Sequence, residues 1–141
     1  MQLIQDILKK QVCNQELAER LYELGDRTPS LFYWSQVELG EWEIKFAGYT
    51  TEINGESVSY YHAYTTAELG EMLPSYLTKY DLVIGKLLKS VSGEWEWEIS
   101  YDECLLGVEI IDVLHRVCSK SEADARAEMR IYLLENKLIT L

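Results

Sequence analysis

The stretch SEADARAEMRIYLLENKLITL, residues 121–141, decides the fold of this chain. Its apolar side chains recur at steps of three and four, which places them on one face of an α-helix. They are Ala123, Ala127, Ile131, Leu134 and Leu138. Ser121 with Asp124, or Ser119 with Glu122, forms a capping pattern at the start of the helix. We therefore expect a helix that covers the core, with a partner-binding helix as the alternative.

The segments before this helix have the patterns of strands. Residues 31–37 are an apolar run typical of a buried strand, and residues 42–46 alternate apolar and charged side chains. Asn54-Gly55 is a strong hairpin signal. It stands between Thr50-Thr51 and residues 58–64, and it predicts a pair of antiparallel strands there.

Residues 80–88 and 94–101 predict a second hairpin, with Ser92-Gly93 at its turn. Residues 105–118 fit either a helix or a strand. We favour a strand over residues 111–117, because the valine and isoleucine content suits a strand and the segment leads directly into the last helix.

Two further helical regions are predicted. Residues 1–25 have helical spacing that ends at Gly25, and a break at Cys13-Asn14 would divide the region into two helices. A capping box at residues 65–68 opens a short helix that Pro74 ends.

Together these elements predict a single α+β domain over residues 1–141. We expect an antiparallel sheet of about five or six strands, packed with N- and C-terminal helices and one short central helix.

The composition of the chain argues against several classes of function. The chain has 24 acidic and 13 basic residues, a net charge of −11, which opposes direct nucleic-acid binding and suits a basic partner. It contains no apolar run long enough for a membrane span and no signal-peptide pattern, so a cytoplasmic location is expected. Three cysteines without a CxxC pair predict free thiols rather than a disulfide framework or a zinc site.

The acidic residues concentrate in residues 94–112, which contain seven carboxylates and no lysine or arginine. Glu94, Glu96 and Glu98 alternate along one strand, about 6.5–7 Å apart. They would form a row of negative charge, which is either a solvated face or a docking surface for a basic protein. A flat row does not converge on a divalent cation, so no metal or cofactor is predicted.

Aromatic residues offer a second candidate surface, because tyrosine and tryptophan are enriched at binding hot spots. The predicted interaction surface joins both features. Its members are Glu94, Glu96, Glu98, Asp102, Glu103, Tyr60 and Tyr61.

An enzymatic role is not favoured, since the chain has no nucleophile elbow, phosphate-binding glycine loop, dinucleotide fingerprint or HExxH motif. Its histidines are His62 and His115. His115 and Cys118 could meet on a helix, but on a strand they would point to opposite faces.

Four segments resemble small uncharacterised proteins of Bacteroidetes genomes, often encoded in prophage or other mobile-element regions. The segments are ELAERLYELGDRTPSLFYW (residues 16–34), AYTTAELGEMLPS (63–75), YDLVIGK (80–86) and SEADARAEMRIYLLENKLI (121–139). The resemblance spans most of the chain but implies no activity and no site residues.

On these grounds the sequence predicts a non-enzymatic interaction protein of a mobile element that binds a basic host or phage protein. The alternatives are a small-ligand or enzymatic domain with a pocket between sheet and helices, and a structural homo-oligomer that associates through a sheet edge.

Overall fold

The computed structural model describes residues 2–37, 40–46, 58–91, 93–106 and 109–141. The described helices are α1 Gln2–Lys9, α2 Gln15–Glu23, α3 Thr66–Met72 and α4 Glu122–Glu135. The described strands are β1 Phe32–Val37, β2 Glu43–Phe46, β3 Val58–His62, β4 Tyr76–Leu77, β5 Tyr80–Leu88, β6 Trp95–Leu105 and β7 Glu109–Ser119. The α+β class is confirmed.

The strands form two antiparallel sheets, so the prediction of one sheet of five or six strands is wrong. One sheet has the order β2-β1-β3 and the other β4-β5-β6-β7. β3 pairs with β1. The Asn54-Gly55 turn and the strand predicted before it lie outside the described residues.

The physical reason for two sheets is that α4 is apolar on two sides. Ala123, Ala127 and Ile131 belong to a core cluster that also contains residues of α2, β1 and β2. A second series, Ala125, Met129 and Leu133, belongs to a cluster with Ile99 and Tyr101 of the four-stranded sheet. The spacing of three and four in the sequence predicted only the first series. A helix with one apolar face would cover only one sheet.

The ends of α4 are set by local chemistry. The Ser121 hydroxyl accepts a hydrogen bond from the Asp124 amide at 3.2 Å, so the predicted N-cap is confirmed. The helix ends at Glu135. Leu138 therefore lies beyond it, with 42% of its surface exposed, and does not belong to the core face that was predicted.

A buried ion pair attaches α4 to the loop after α2. The Arg130 Nε donates to an Asp26 carboxyl oxygen at 2.6 Å, and Asp26 also accepts from the Thr28 amide and hydroxyl at 3.1 and 2.7 Å. Arg130 donates in addition to the Met72 carbonyl at 3.0 Å. Burial by itself would raise the pKa of Asp26, but these hydrogen bonds outweigh it and hold the pKa below the ordinary value.

Several local predictions are confirmed. The N-terminal region divides into two helices, with Asn14 capping α2 and Gly25 at a φ of +95° beyond its end. Thr65 and Glu68 form the predicted capping box of α3. The ambiguous segment is a strand, β7, which is longer than predicted.

Candidate functional site: the outer face of the four-stranded sheet

The four-stranded sheet has two unlike faces. Residues directly opposite each other on neighbouring antiparallel strands share a face, and successive residues alternate between faces except at a β-bulge. The β6–β7 register shifts between Tyr101 and Asp102 and between Glu103 and Cys104, so the residues of β7 are assigned to a face by their partners on β6. We call the face towards α4 the inner face. Its cross-strand sets are Leu82–Tyr101–His115, Ile84–Ile99–Val117 and Lys86–Trp97–Ser119. We call the opposite face the outer face. Its sets are Asp81–Asp102–Val113, Val83–Ser100–Arg116 and Gly85–Glu98–Cys118, followed by the pair Leu87–Glu96.

The inner face is covered by α4 around Ile99 and Tyr101, whereas Ile84 and Leu88 of β5 on the same face are 37% and 55% exposed. Ile99 and Tyr101 are fully buried there, in one cluster with Met129 and Leu133 of the helix. The His115 ring stacks on the Tyr132 ring of α4 with a centroid distance of 3.6 Å. This face therefore contributes to the core.

The outer face carries exposed apolar side chains. Val83 and Leu87 of β5 are 39% and 43% exposed, and Val113 of β7 is 36% exposed. Ile110, opposite Cys104 on the same face, is 51% exposed. These four side chains lie on the two strands that flank β6, and exposed apolar side chains that share one sheet face are candidates for a binding surface.

The predicted acidic row begins at Glu94, just before β6, and continues with Glu96 and Glu98 on the strand. It is largely compensated by cations from neighbouring segments. Glu98 lies 3.8 Å from the Lys89 ammonium and 3.4 Å from the Arg116 guanidinium. Glu94 pairs with Lys120 at 2.5 Å. These cations stand outside residues 94–112, and only the sheet register brings them to the row. Of the three glutamates, Glu96 alone has no ion pair with a described residue.

Asp102 belongs to the outer face but differs from that row. Only 1% of its surface is exposed, and its Oδ1 has no hydrogen-bond partner in the described part of the chain. Its direct partner on β5 is Asp81, an exposed carboxylate. Like charges directly opposite each other destabilise a sheet. The arrangement therefore places a buried, incompletely bonded carboxylate beside a second carboxylate.

The other predicted site residues lie elsewhere. Glu103 is paired with Lys79 at 2.9 Å, next to Asp112, which accepts from the Tyr80 hydroxyl at 2.8 Å. Tyr60 and Tyr61 are on β3 of the three-stranded sheet, and as successive strand residues they point to opposite faces. The structure therefore does not bring the seven predicted residues together on one sheet face.

A concave site of about 410 Å³ lies where the N-termini of α3 and α4 meet β6. Its lining includes Lys10, Lys120, Trp97 and Glu122. Lys120 is paired with Glu94, and Glu122 with Arg126 at 2.6 Å. Lys120 and Glu122 are thus already neutralised by ion pairs within the chain. The site therefore offers little unpaired charge to attract a charged small ligand.

The histidines and cysteines form no constellation for catalysis in the described chain. Neither histidine lines that cavity, and burial lowers the pKa of both His62 and His115. His115 is on the inner face and Cys118 on the outer face, as a strand requires. Cys13 is buried, which raises the pKa of its thiol to about 12. Among the described residues no group of three or more His, Cys, Asp or Glu side chains could hold a metal ion.

Two residues of the outer face had no signal in the sequence. Asp81 and Val83 lie in YDLVIGK, where alternation predicts a strand but does not show which face α4 leaves uncovered. In the part of the chain that the structure covers, no helix has the length and hydropathy to cross a membrane.

Comparison with known proteins does not assign this chain to a family. No protein-family model, no curated protein and no solved structure matches this chain. Its function must therefore be argued from the geometry of the faces.

Proposed function

We propose that this chain is a cytoplasmic, non-enzymatic protein-interaction factor of a prophage or other mobile element, and that it binds a basic protein through the outer face. The observation that carries the proposal is the exposed apolar set Val83, Leu87, Ile110 and Val113 on a face that α4 does not cover. The net charge of −11 favours a basic partner through long-range attraction. The resemblance of four segments to mobile-element proteins supports the proposed origin.

The test compares matched variants of one strand. Val83→Lys places a positive charge on the outer face, while Leu88→Lys makes the same change at an exposed residue on the other side of β5. Proteins captured by the wild-type chain from uninfected and infected cells would be identified by mass spectrometry and purified. Their affinities for the three chains would then be measured by calorimetry.

We expect Val83→Lys to weaken the reconstituted complex at least about tenfold, which corresponds to about 1.4 kcal/mol. Leu88→Lys should leave the affinity within about twofold, a difference well below 1 kcal/mol. Equal effects of the two variants, or no captured protein from either cell type, would contradict the proposal. Sedimentation equilibrium of the isolated chain tests the homo-oligomer alternative, because self-association lost in Val83→Lys would identify a second copy as the occupant.

A further inference from the structure

We propose that the Asp81–Asp102 carboxyl pair is the anchor point of the outer face and receives an arginine side chain of the partner, flanked by apolar residues. This inference rests on the proposed function and specifies the group that the partner must present. It depends on three features of the pair: its register, its missing partner and its apolar surroundings.

The register places the two carboxylates side by side. Asp81 and Asp102 are direct partners across β5 and β6. Cβ atoms of such partners stand about 4.5–5.5 Å apart, so both carboxyl groups are within reach of one bound group. A cation between them would convert a repulsive pair into two attractive contacts.

The missing partner concerns Asp102. Only 1% of the surface of Asp102 is exposed, yet its Oδ1 accepts no hydrogen bond from the described residues. Buried polar atoms are nearly always hydrogen-bonded, and one that is not costs free energy. A donor supplied by another molecule would remove that cost once the Asp102 side chain rotates towards solvent, because Oδ1 has almost no accessible surface in this conformation.

The sheet does not supply this donor, because the cations near the outer face pair with other acids and Lys86 lies on the inner face over the Trp97 ring. Lys89 and Arg116 contact Glu98, and Lys79 contacts Glu103. Asp81 forms no ion pair with any residue in the described ranges. Among the described residues of the outer face, the negative charge without a nearby cation is therefore concentrated at Asp81 and Asp102, since Glu96 is attracted by Lys120.

A guanidinium group fits this site better than a metal ion. Two carboxylates on a flat sheet provide fewer oxygens than the six or more that Ca²⁺ or Mg²⁺ requires. A guanidinium is planar, has five donors in a fixed fork and can bond two carboxylates at once. Val83 and Val113 lie beside the pair, where they can contact the arginine methylenes and the apolar neighbours of that arginine.

The experiment uses the full chain and a random peptide library displayed on phage. Peptides selected on the wild-type chain would be synthesised in two forms, one with arginine and one with citrulline, which has nearly the same shape but no charge. Binding sites would be mapped by amide chemical-shift changes. Affinities would be measured for the wild type, Asp81→Asn, Asp102→Asn and the control Glu96→Gln, which removes an acid from the same face.

We expect the selected peptides to share an arginine with apolar neighbours and to shift the amides around Asp81, Asp102 and Val113. Citrulline, Asp81→Asn and Asp102→Asn should each weaken binding about tenfold or more, whereas Glu96→Gln should change it by about twofold or less. Asparagine removes an unfavourable charge, so these variants are expected to stay folded, and their amide spectra would verify this.

The possible failures are distinguishable. Peptides that bind at Val83 and Val113 with no basic residue, or with equal affinity for Asp102→Asn, would overturn the arginine anchor and leave the proposed function standing. If no selected peptide shifts any amide of the outer face, the anchor and the proposed docking face both fail.

Discussion

Asp26 and Asp102 are both buried aspartates, each with 1% of its surface exposed, but their surroundings are opposite. Asp26 lies beside α4 and accepts hydrogen bonds from Arg130 and from the amide and hydroxyl of Thr28. Asp102 lies on the uncovered outer face, next to Asp81, with one oxygen unpartnered among the described residues. The first arrangement stabilises the fold by itself, and the second is complete only when another molecule supplies a cation.

Burial alone therefore does not show that a residue serves the stability of the fold. A buried carboxylate with all its partners in the same chain is explained by the fold. One that lacks a partner costs stability, and in natural proteins such costs concentrate at functional sites. Four predictions test the contrast between the α4 side and the outer face, starting with the largest effect.

Asp26→Asn should lower the free energy of unfolding by about 3–5 kcal/mol, because it leaves the buried Arg130 charge without its counterion. The control is Glu135→Gln, which removes the partner of Arg20 from an exposed pair and should cost about 1 kcal/mol or less. Urea unfolding at neutral pH measures both. A smaller loss for Asp26→Asn than for Glu135→Gln would contradict the structural role of the buried pair.

The difference in unfolding free energy between wild type and Asp26→Asn should depend on pH. The folded pKa of Asp26 lies below the ordinary 3.8, so between these two values the unfolded chain binds more protons and stability rises with pH. The stabilisation by the ionised carboxylate is fully present above the ordinary value and is lost as pH falls through the folded pKa. The stability difference between wild type and Asp26→Asn should therefore shrink as the pH falls through that range.

Ile99→Ala should destabilise the fold by about 2–5 kcal/mol, because it leaves a cavity under α4. Val83→Ala, on the outer face of the neighbouring strand, should cost about 1 kcal/mol or less, since the side chain is already 39% exposed. Thermal and urea unfolding of both variants give the comparison. Similar losses at the two positions would show that the outer face is covered in solution by another part of the chain.

Asp102→Asn should raise the free energy of unfolding by about 0.2–1 kcal/mol, because it ends the cross-strand repulsion and its amide can donate to Asp81. Asp81→Asn should have a similar effect, and the double variant should gain less than the sum because the repulsion is lost only once. Urea unfolding at about 0.01 M and about 1 M salt provides the control, since screening should reduce the gain at high salt. A loss of stability in both single variants would remove the contrast between Asp102 and Asp26.

Much of the local structure could be predicted from the sequence because it depends on neighbouring residues. The Ser121 cap, the Thr65–Glu68 capping box and the end of α2 at Gly25 involve side chains and amides within a few positions of one another. The strand assignment of β7 followed from its valine and isoleucine content. The seven-acid segment was also evident from composition.

The candidate site could not be predicted in full because strand register determines it. Lys89 and Arg116 neutralise Glu98 only because β5, β6 and β7 lie side by side, and Asp81 meets Asp102 for the same reason. Composition grouped Glu98 and Asp102 in one acidic segment and left out Asp81, so it could not distinguish the glutamate that has cationic partners from the aspartate that has none among the described residues. Tyr60 and Tyr61 were grouped with the acids by residue type, whereas the fold places them on the other sheet.

Periodicity and capping are local properties, so the sequence alone predicts a capped apolar helix that begins after Ser121, although the helix ends at Glu135. The tertiary structure decided that this helix serves two sheets. Ala125, Met129 and Leu133 face the four-stranded sheet while Ala123, Ala127 and Ile131 face the other core. Because α4 covers only one face of the four-stranded sheet, the exposed Asp81 and the buried Asp102 beside it lie on the face that this helix does not contact.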